Sequence, residues 1–271
     1  MIRFLILAGY FELTMYLQLS GKLNQYINLH YSYLAYISMF LSFVLAFVQL
    51  IIWVKQMKIH SHLSGFWAKV ASIFLLCIPL FVGLFFPTVT LDSQTVSAKG
   101  YHFPVAAGSS KEIQQDEGTT TQYLKPDTSS YFTKSAYESE MKQAAKKYID
   151  KKVIQVTTEN YMEVMEVIYD YPDQFAGKTI ELTGFVYNDP NNKDSQFLFR
   201  FGIIHCIADS GVYGLLTTGA PQHFENNTWI HAKGTLSIEY HKQLKQSLPV
   251  LHISDCQTIT KPDNPYVYRV F

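Results

Sequence analysis

His205, Cys206 and Asp209 are side chains of the types that ligate a metal ion, and they fall within five residues of one another. If the segment is a strand, their spacing argues against a shared ion. Neighbours along a strand point to opposite faces, so His205 and Cys206 would diverge. His205 and Asp209 would share a face but stand roughly 13 Å apart at about 3.3 Å per residue, whereas zinc–ligand bonds are about 2 Å. A closed site needs a bulge at the turn, or help from His223, His231, His241, His252 or Cys256. Without that help Cys206 reads as a small core residue and Asp209 as the cap of a turn.

The other group that could do chemistry is Glu12, the only acidic residue before Asp92. It interrupts an apolar run, and an ionisable group at mid-membrane costs about 3 kcal/mol on insertion scales unless it faces protein or a water-filled path. A proton or cation relay, a contact with a partner's helices, and a hydrogen bond to Gln49 or to backbone are the three readings. His60 and His62 could open a metal site, but two histidines fall short of the four ligands of a closed zinc site, so they read as solvated loop residues. The chain has no HExxH, CxxC, phosphate-loop or nucleophile-elbow pattern. Neither an enzyme nor a cofactor is therefore expected.

The elements that would position these groups divide the chain of 271 residues in two. Residues 1–91 hold five basic residues and one acidic, a net +4, while residues 92–271 hold 17 and 21, a net −4. The overall zero is a cancellation, and it does not suggest a nucleic-acid binder. The run over 70–91 has no charge between Lys69 and Asp92 and is long enough to cross a hydrocarbon core of about 20 residues. Pro79 and Gly83 are tolerated there. The first run follows Arg3; it could serve as a secretory signal, but Gln18-Leu19-Ser20 is a poor cleavage site, so a retained helix is expected. Spans are predicted at about 4–20, 33–54 and 70–90, with Trp53 and the Tyr31, Tyr33, Tyr36 cluster as interfacial belts. The loop after the second span holds Lys55, Lys58 and Lys69, and the loop before it only Lys22. By the positive-inside rule the N-terminus is cytoplasmic and residues 92–271 are extracellular, in a multi-pass protein of the cell membrane.

Residues 92–130 are rich in Ser, Thr, Gln and Gly and read as an extracellular linker. An α+β domain is predicted over 131–271. Its first helix covers about 131–148, with Tyr137, Met141, Ala144 and Tyr148 on one face. A second covers about 159–169 with Tyr161, Met165 and Ile168 on one side, and Pro172 and Gly177 close it. Then the period changes to two. Strands are expected at 179–187, 197–208, 211–217, 229–240 and 248–258, separated by turn residues. Five such strands suggest a small OB-like β-barrel over about 178–260. Three cysteines, one of them (Cys77) in an apolar run, exclude a disulfide-dense scaffold. A Cys206–Cys256 disulfide would join the second and fifth strands, which are not neighbours in such a barrel. Exposed histidines in 92–271 would charge between pH 5 and 8 and offset its negative balance.

The segment 200–220 (RFGIIHCIADSGVYGLLTTGA), the ending 262–268 (PDNPYVY) and the stretch LDSQTVSAKG after the third run carry a resemblance that covers nearly the whole chain. The sequence resembles the YcgQ-like (DUF1980) family, described as the smaller subunit of a two-component membrane permease complex in Gram-positive bacteria. The resemblance implies a larger multi-pass permease subunit as partner, with the three spans in the lipid bilayer beside it. It draws attention to Arg200, His205, Cys206, Asp209, Pro262, Pro265 and Tyr266 as the family's motif residues. The family pattern has two adjacent cysteines and Ala-Asp-Ala where this chain has His205-Cys206 and Ala208-Asp209-Ser210, so a thiol-pair function is not expected. The alternative is a membrane-anchored extracellular protein that binds or senses a solute or metal without a transport role.

Overall fold

A computed structural model describes residues 1–57, 65–86, 89–100, 134–190, 196–241 and 246–269. His60, His62 and most of the expected linker lie outside the described residues. The chain divides into two compact units, 1–90 and 91–271.

The first unit is built on three apolar helices, α1 (Ile2–Leu19), α2 (Ser32–Val54) and α3 (Phe66–Phe85), each long and apolar enough to cross a membrane. Helix α1 stops because Gly21 adopts a left-handed φ of 69°, which a glycine takes without strain. Two short 3₁₀ turns, Lys22–Gln25 and Leu29–Tyr31, then lead into α2. Helix α3 begins four residues before the expected position and ends at Phe85 rather than near 90. Phe86 precedes Pro87, and the residue before a proline is pushed out of the helical region; its ψ is 134°. Inside α3, Pro79 has no N–H and crowds the carbonyls of the preceding turn. Tyr10 Oη of α1 donates to one of them, Leu76 O, at 2.9 Å.

The second unit is mixed α+β with a seven-stranded sheet: β1 (Val153–Gln155), β2 (Thr179–Asn188), β3 (Gln196–Ile203), β4 (Gly211–Thr218), β5 (Trp229–His241), β6 (Gln246–Thr258) and β7 (Tyr266–Tyr268). The order is β1-β2-β5-β6-β4-β3-β7, and β2 pairs with β3 as well. β2–β5, β5–β6, β3–β4 and β2–β3 are antiparallel, while β4–β6, β1–β2 and β3–β7 are parallel. The second expected strand is shorter than predicted: β3 ends at Ile203, not at 208.

Helices α4 (Ser93–Lys99), α5 (Lys134–Ile149), α6 (Tyr161–Asp170) and α7 (Pro172–Phe175) complete the unit. Met141, Ala144 and Tyr148 of α5 are buried as the sequence pattern requires. Helix α6 differs from its expected one-sided burial, for Tyr161, Met162 and all of Val164–Tyr169 are buried. It packs on α5 and against β4, β6 and β7, so little of its circumference meets solvent. The beginning of the presumed linker is also structured. Asp92 caps α4 through Gln94 N and Thr95 N, Val96 is buried, and Leu91 N donates to Tyr266 Oη at 3.0 Å.

Candidate functional site

The motif residues fall into two neighbouring features of the second unit. Arg200, on β3, is 3% exposed and ties three segments together. Its guanidinium donates to the carbonyls of Asn264 (3.1 Å), Pro265 (3.3 Å) and Tyr266 (3.1 Å), and to Thr158 Oγ1 (3.0 Å). The rings of Tyr161 and Trp229 lie 5.7 and 5.8 Å from it. Burial pulls its pKa below the usual guanidinium value, with nearby Tyr161, Tyr268 and Glu159 opposing that pull. Pro265 and Tyr266 are buried in this clamp, and Pro262 stands at its partly exposed entrance. The resulting chemistry is mechanical: a planar fork of donors pins the C-terminal strand β7 to β3.

His205, Cys206 and Asp209 follow the end of β3. Because the strand stops at Ile203 and residues Ile207–Asp209 form a 3₁₀ turn, His205 and Asp209 are not separated as in extended chain. His205 Nδ1 and Asp209 Oδ2 are 2.7 Å apart. The same carboxylate accepts from the backbone N–H of His205 (3.0 Å) and of Cys206 (3.0 Å), while the Cys206 thiol accepts from Asp209 N–H. Asp209 thus caps the turn. Among the described residues, no group of three or more His, Cys, Asp or Glu side chains is gathered closely enough to hold a metal ion. Two histidines of the expected helper set bond elsewhere: His231 with Thr183, and His252 with Thr218 and Glu239. The three cysteines are free thiols, so Cys206 and Cys256 are not joined.

The second unit also contains a cleft that the sequence did not announce. It measures about 310 Å³ and is lined by α5, α6 and the C-terminal segment. Glu166 and Arg269 form a buried ion pair at 2.8 Å, their side chains 4% and 6% exposed. Toward the rim, Glu163 accepts from Tyr148 Oη (2.6 Å) and pairs with Lys147 (2.7 Å). Burial and the Glu163 carboxylate both raise the Tyr148 phenol, and burial pushes Tyr268 up to about 12, so both stay protonated at neutral pH. The only signal for this pair was Glu166 flanked on both sides by apolar residues of α6. Its arginine lies 103 residues away and could not be inferred.

In the first unit, Glu12 and Gln49 are not brought together. Phe11 packs on Phe43 of α2 with ring centroids 5.4 Å apart, which sets the depth of Glu12. Gln49 lies about six residues further along, where it lines a pocket of about 450 Å³ with Met1, Ile2, Arg3 and Trp53. Glu12 is exposed and has no hydrogen bond or ion pair among the described residues. Helices α1 and α3 meet through glycines: Gly9 faces Leu80, and Gly83 faces Leu13.

Comparison with known proteins supplies the context for these features. Residues 2–102 match the DUF1980 N-terminal domain, and residues 131–269 match the DUF1980 C-terminal domain. A protein of Streptococcus mutans named "Putative two-component membrane permease complex subunit" is 67% identical over 271 residues, covering all of both chains. The "UPF0703 protein YcgQ" of Bacillus subtilis is 40% identical over 291 aligned positions, again across the full length of both. With both halves matched in order and full-length identity of this size, the chain belongs to the DUF1980 family, the UPF0703 YcgQ proteins.

Proposed function

We propose that this chain is the accessory subunit of a two-component membrane permease. Its three helices dock beside a larger multi-pass subunit that supplies the pathway. The observation that carries this reading is the bareness of the first unit. Among its described residues only Ile6, Asn28 and Ala46 are buried, while large apolar side chains such as Phe40, Phe47, Phe74 and Phe81 are exposed. A bundle with so little interior encloses no route for a solute, and membrane helices associate by packing and by polar contacts rather than by excluding water. The relative from Streptococcus mutans, named as a complex subunit, supports the same conclusion.

The second unit then acts at the outer face as an OB-like barrel. The pairings β2–β3, β3–β4, β4–β6, β6–β5 and β5–β2 run in a closed circuit, which supports that reading. The lysines of the second loop support its outward placement. The test is extraction of the tagged chain from its native membrane in mild detergent. A polytopic membrane protein should co-purify at a fixed ratio that survives washing. Recovery of the chain alone, with the cleft beside Glu166 and Arg269 binding a solute by calorimetry, would instead favour a membrane-anchored sensing protein.

A further inference from the structure

Helix α1 uses two of its sides inside its own bundle and leaves a third uncovered. Phe11 faces α2, while Gly9, Tyr10 and Leu13 face α3. The remaining side presents Leu5, Glu12, Tyr16 and Leu19, all exposed, at spacings of seven, four and three. Such spacing is that of a seam along which a second helix can lie. Glu12 sits roughly 10 Å or more from either end of α1 at 1.5 Å per residue. Its short side chain cannot reach the headgroup layer as a lysine's can, so lipid cannot satisfy it.

Resting on the two-component reading, we infer that this seam is where the second subunit docks, through a membrane helix that presents a lysine or arginine at the depth of Glu12. The charge identifies the occupant. A second copy of this chain would set two carboxyls against each other, and like charges in a medium of low dielectric cannot both ionise. A bare apolar helix would leave the carboxyl as unsatisfied as lipid does. A basic side chain satisfies it and is itself satisfied, which lowers the insertion penalty for both helices.

The experiment places a photo-crosslinking amino acid at Leu5 or Leu19 on the seam, and at Phe74 or Phe85 on α3, in cells that make both subunits. Adducts to the second subunit are expected from Leu5 and Leu19 and not from Phe74 or Phe85. The adducted peptide should be a membrane span containing Lys or Arg. In parallel, Glu12→Gln should lower the co-purified second subunit at least tenfold at unchanged membrane content of this chain. Glu12→Asp should retain most of it, and Glu12→Lys should regain assembly when the partner's basic residue is changed to Glu. Equal crosslinking from α3, adducts only to a second copy, or normal assembly of Glu12→Gln would overturn the seam. In each of those cases co-purification of the unaltered chain would leave the accessory-subunit reading standing; its loss in the unaltered chain would remove that reading instead.

Discussion

Arg200 is a buried cation surrounded by carbonyl oxygens and aromatic rings, without an ion pair among the described residues. Its three carbonyl partners all belong to residues 264–266, so its removal would take a donor from two buried acceptors and one part-buried one. Each unsatisfied buried group costs about 1–3 kcal/mol. Arg200→Ala is therefore expected to lower stability by about 3–5 kcal/mol and to release β7 from β3. Hydrogen exchange at Val267 and Tyr268 would report the release; unchanged protection there would refute the clamp. Arg200→Lys should recover only part, since a single ammonium cannot span three carbonyls. At this scale the sequence was partly legible. Asp209 read correctly as a turn cap, because an Asx side chain bonds its own local backbone. The roles of Arg200, Glu166 and Arg269 were hidden, because each depends on partners more than 40 residues away.

Between elements, the closest approaches are made by glycines, and the structure separates those that are indispensable from those that are not. A Cβ on Gly214 of β4 would come within 1.9 Å of the Leu198 carbonyl oxygen on β3, a backbone atom that cannot step aside without breaking the pairing. A Cβ on Gly83 of α3 would meet only the methyl carbons of Leu13, at 2.9 and 3.0 Å, and a leucine can rotate away. Gly214→Ala should thus destabilise the second unit by about 3 kcal/mol or more, whereas Gly83→Ala should cost about 1 kcal/mol. Thermal unfolding of the two variants in detergent would rank them, and equal effects would contradict the contrast. The strands were readable in advance because their period of two is a local property, and β2, β4, β5 and β6 start or stop within two residues of expectation. The burial of α6 was not readable. Its sequence shows which residues are apolar, but only packing on α5 and three strands decides that nearly all of them are covered. The same reason hides α4, whose polar composition suggests a linker although Val96, Ser93 and Asp92 anchor it by burial and capping.

For the whole molecule, function depends on which side of the membrane receives residues 91–271. The three candidate spans leave two short loops, and their lysines are unequal: Lys22 in the first, and Lys55 and Lys58 in the second, with Lys69 in the first turn of α3. Positive residues near span ends favour the cytoplasmic side, and the proposed orientation accordingly turns the second loop inward. In the proposed orientation an odd number of spans carries the second unit outward. A bulky protease added to intact cells should therefore digest the second unit, while a tag at the N-terminus remains protected until the cells are broken. Changing Lys55, Lys58 and Lys69 together to Glu removes the asymmetry and leaves Arg3 and Lys22 to compete across the first span. That variant should show a mixed population, part of it with the second unit newly protected. Protection of the second unit in the unaltered protein would reverse the orientation. It would also place the second unit in the cytoplasm, while the seam proposed on α1 would lie in the membrane whichever way the chain is inserted.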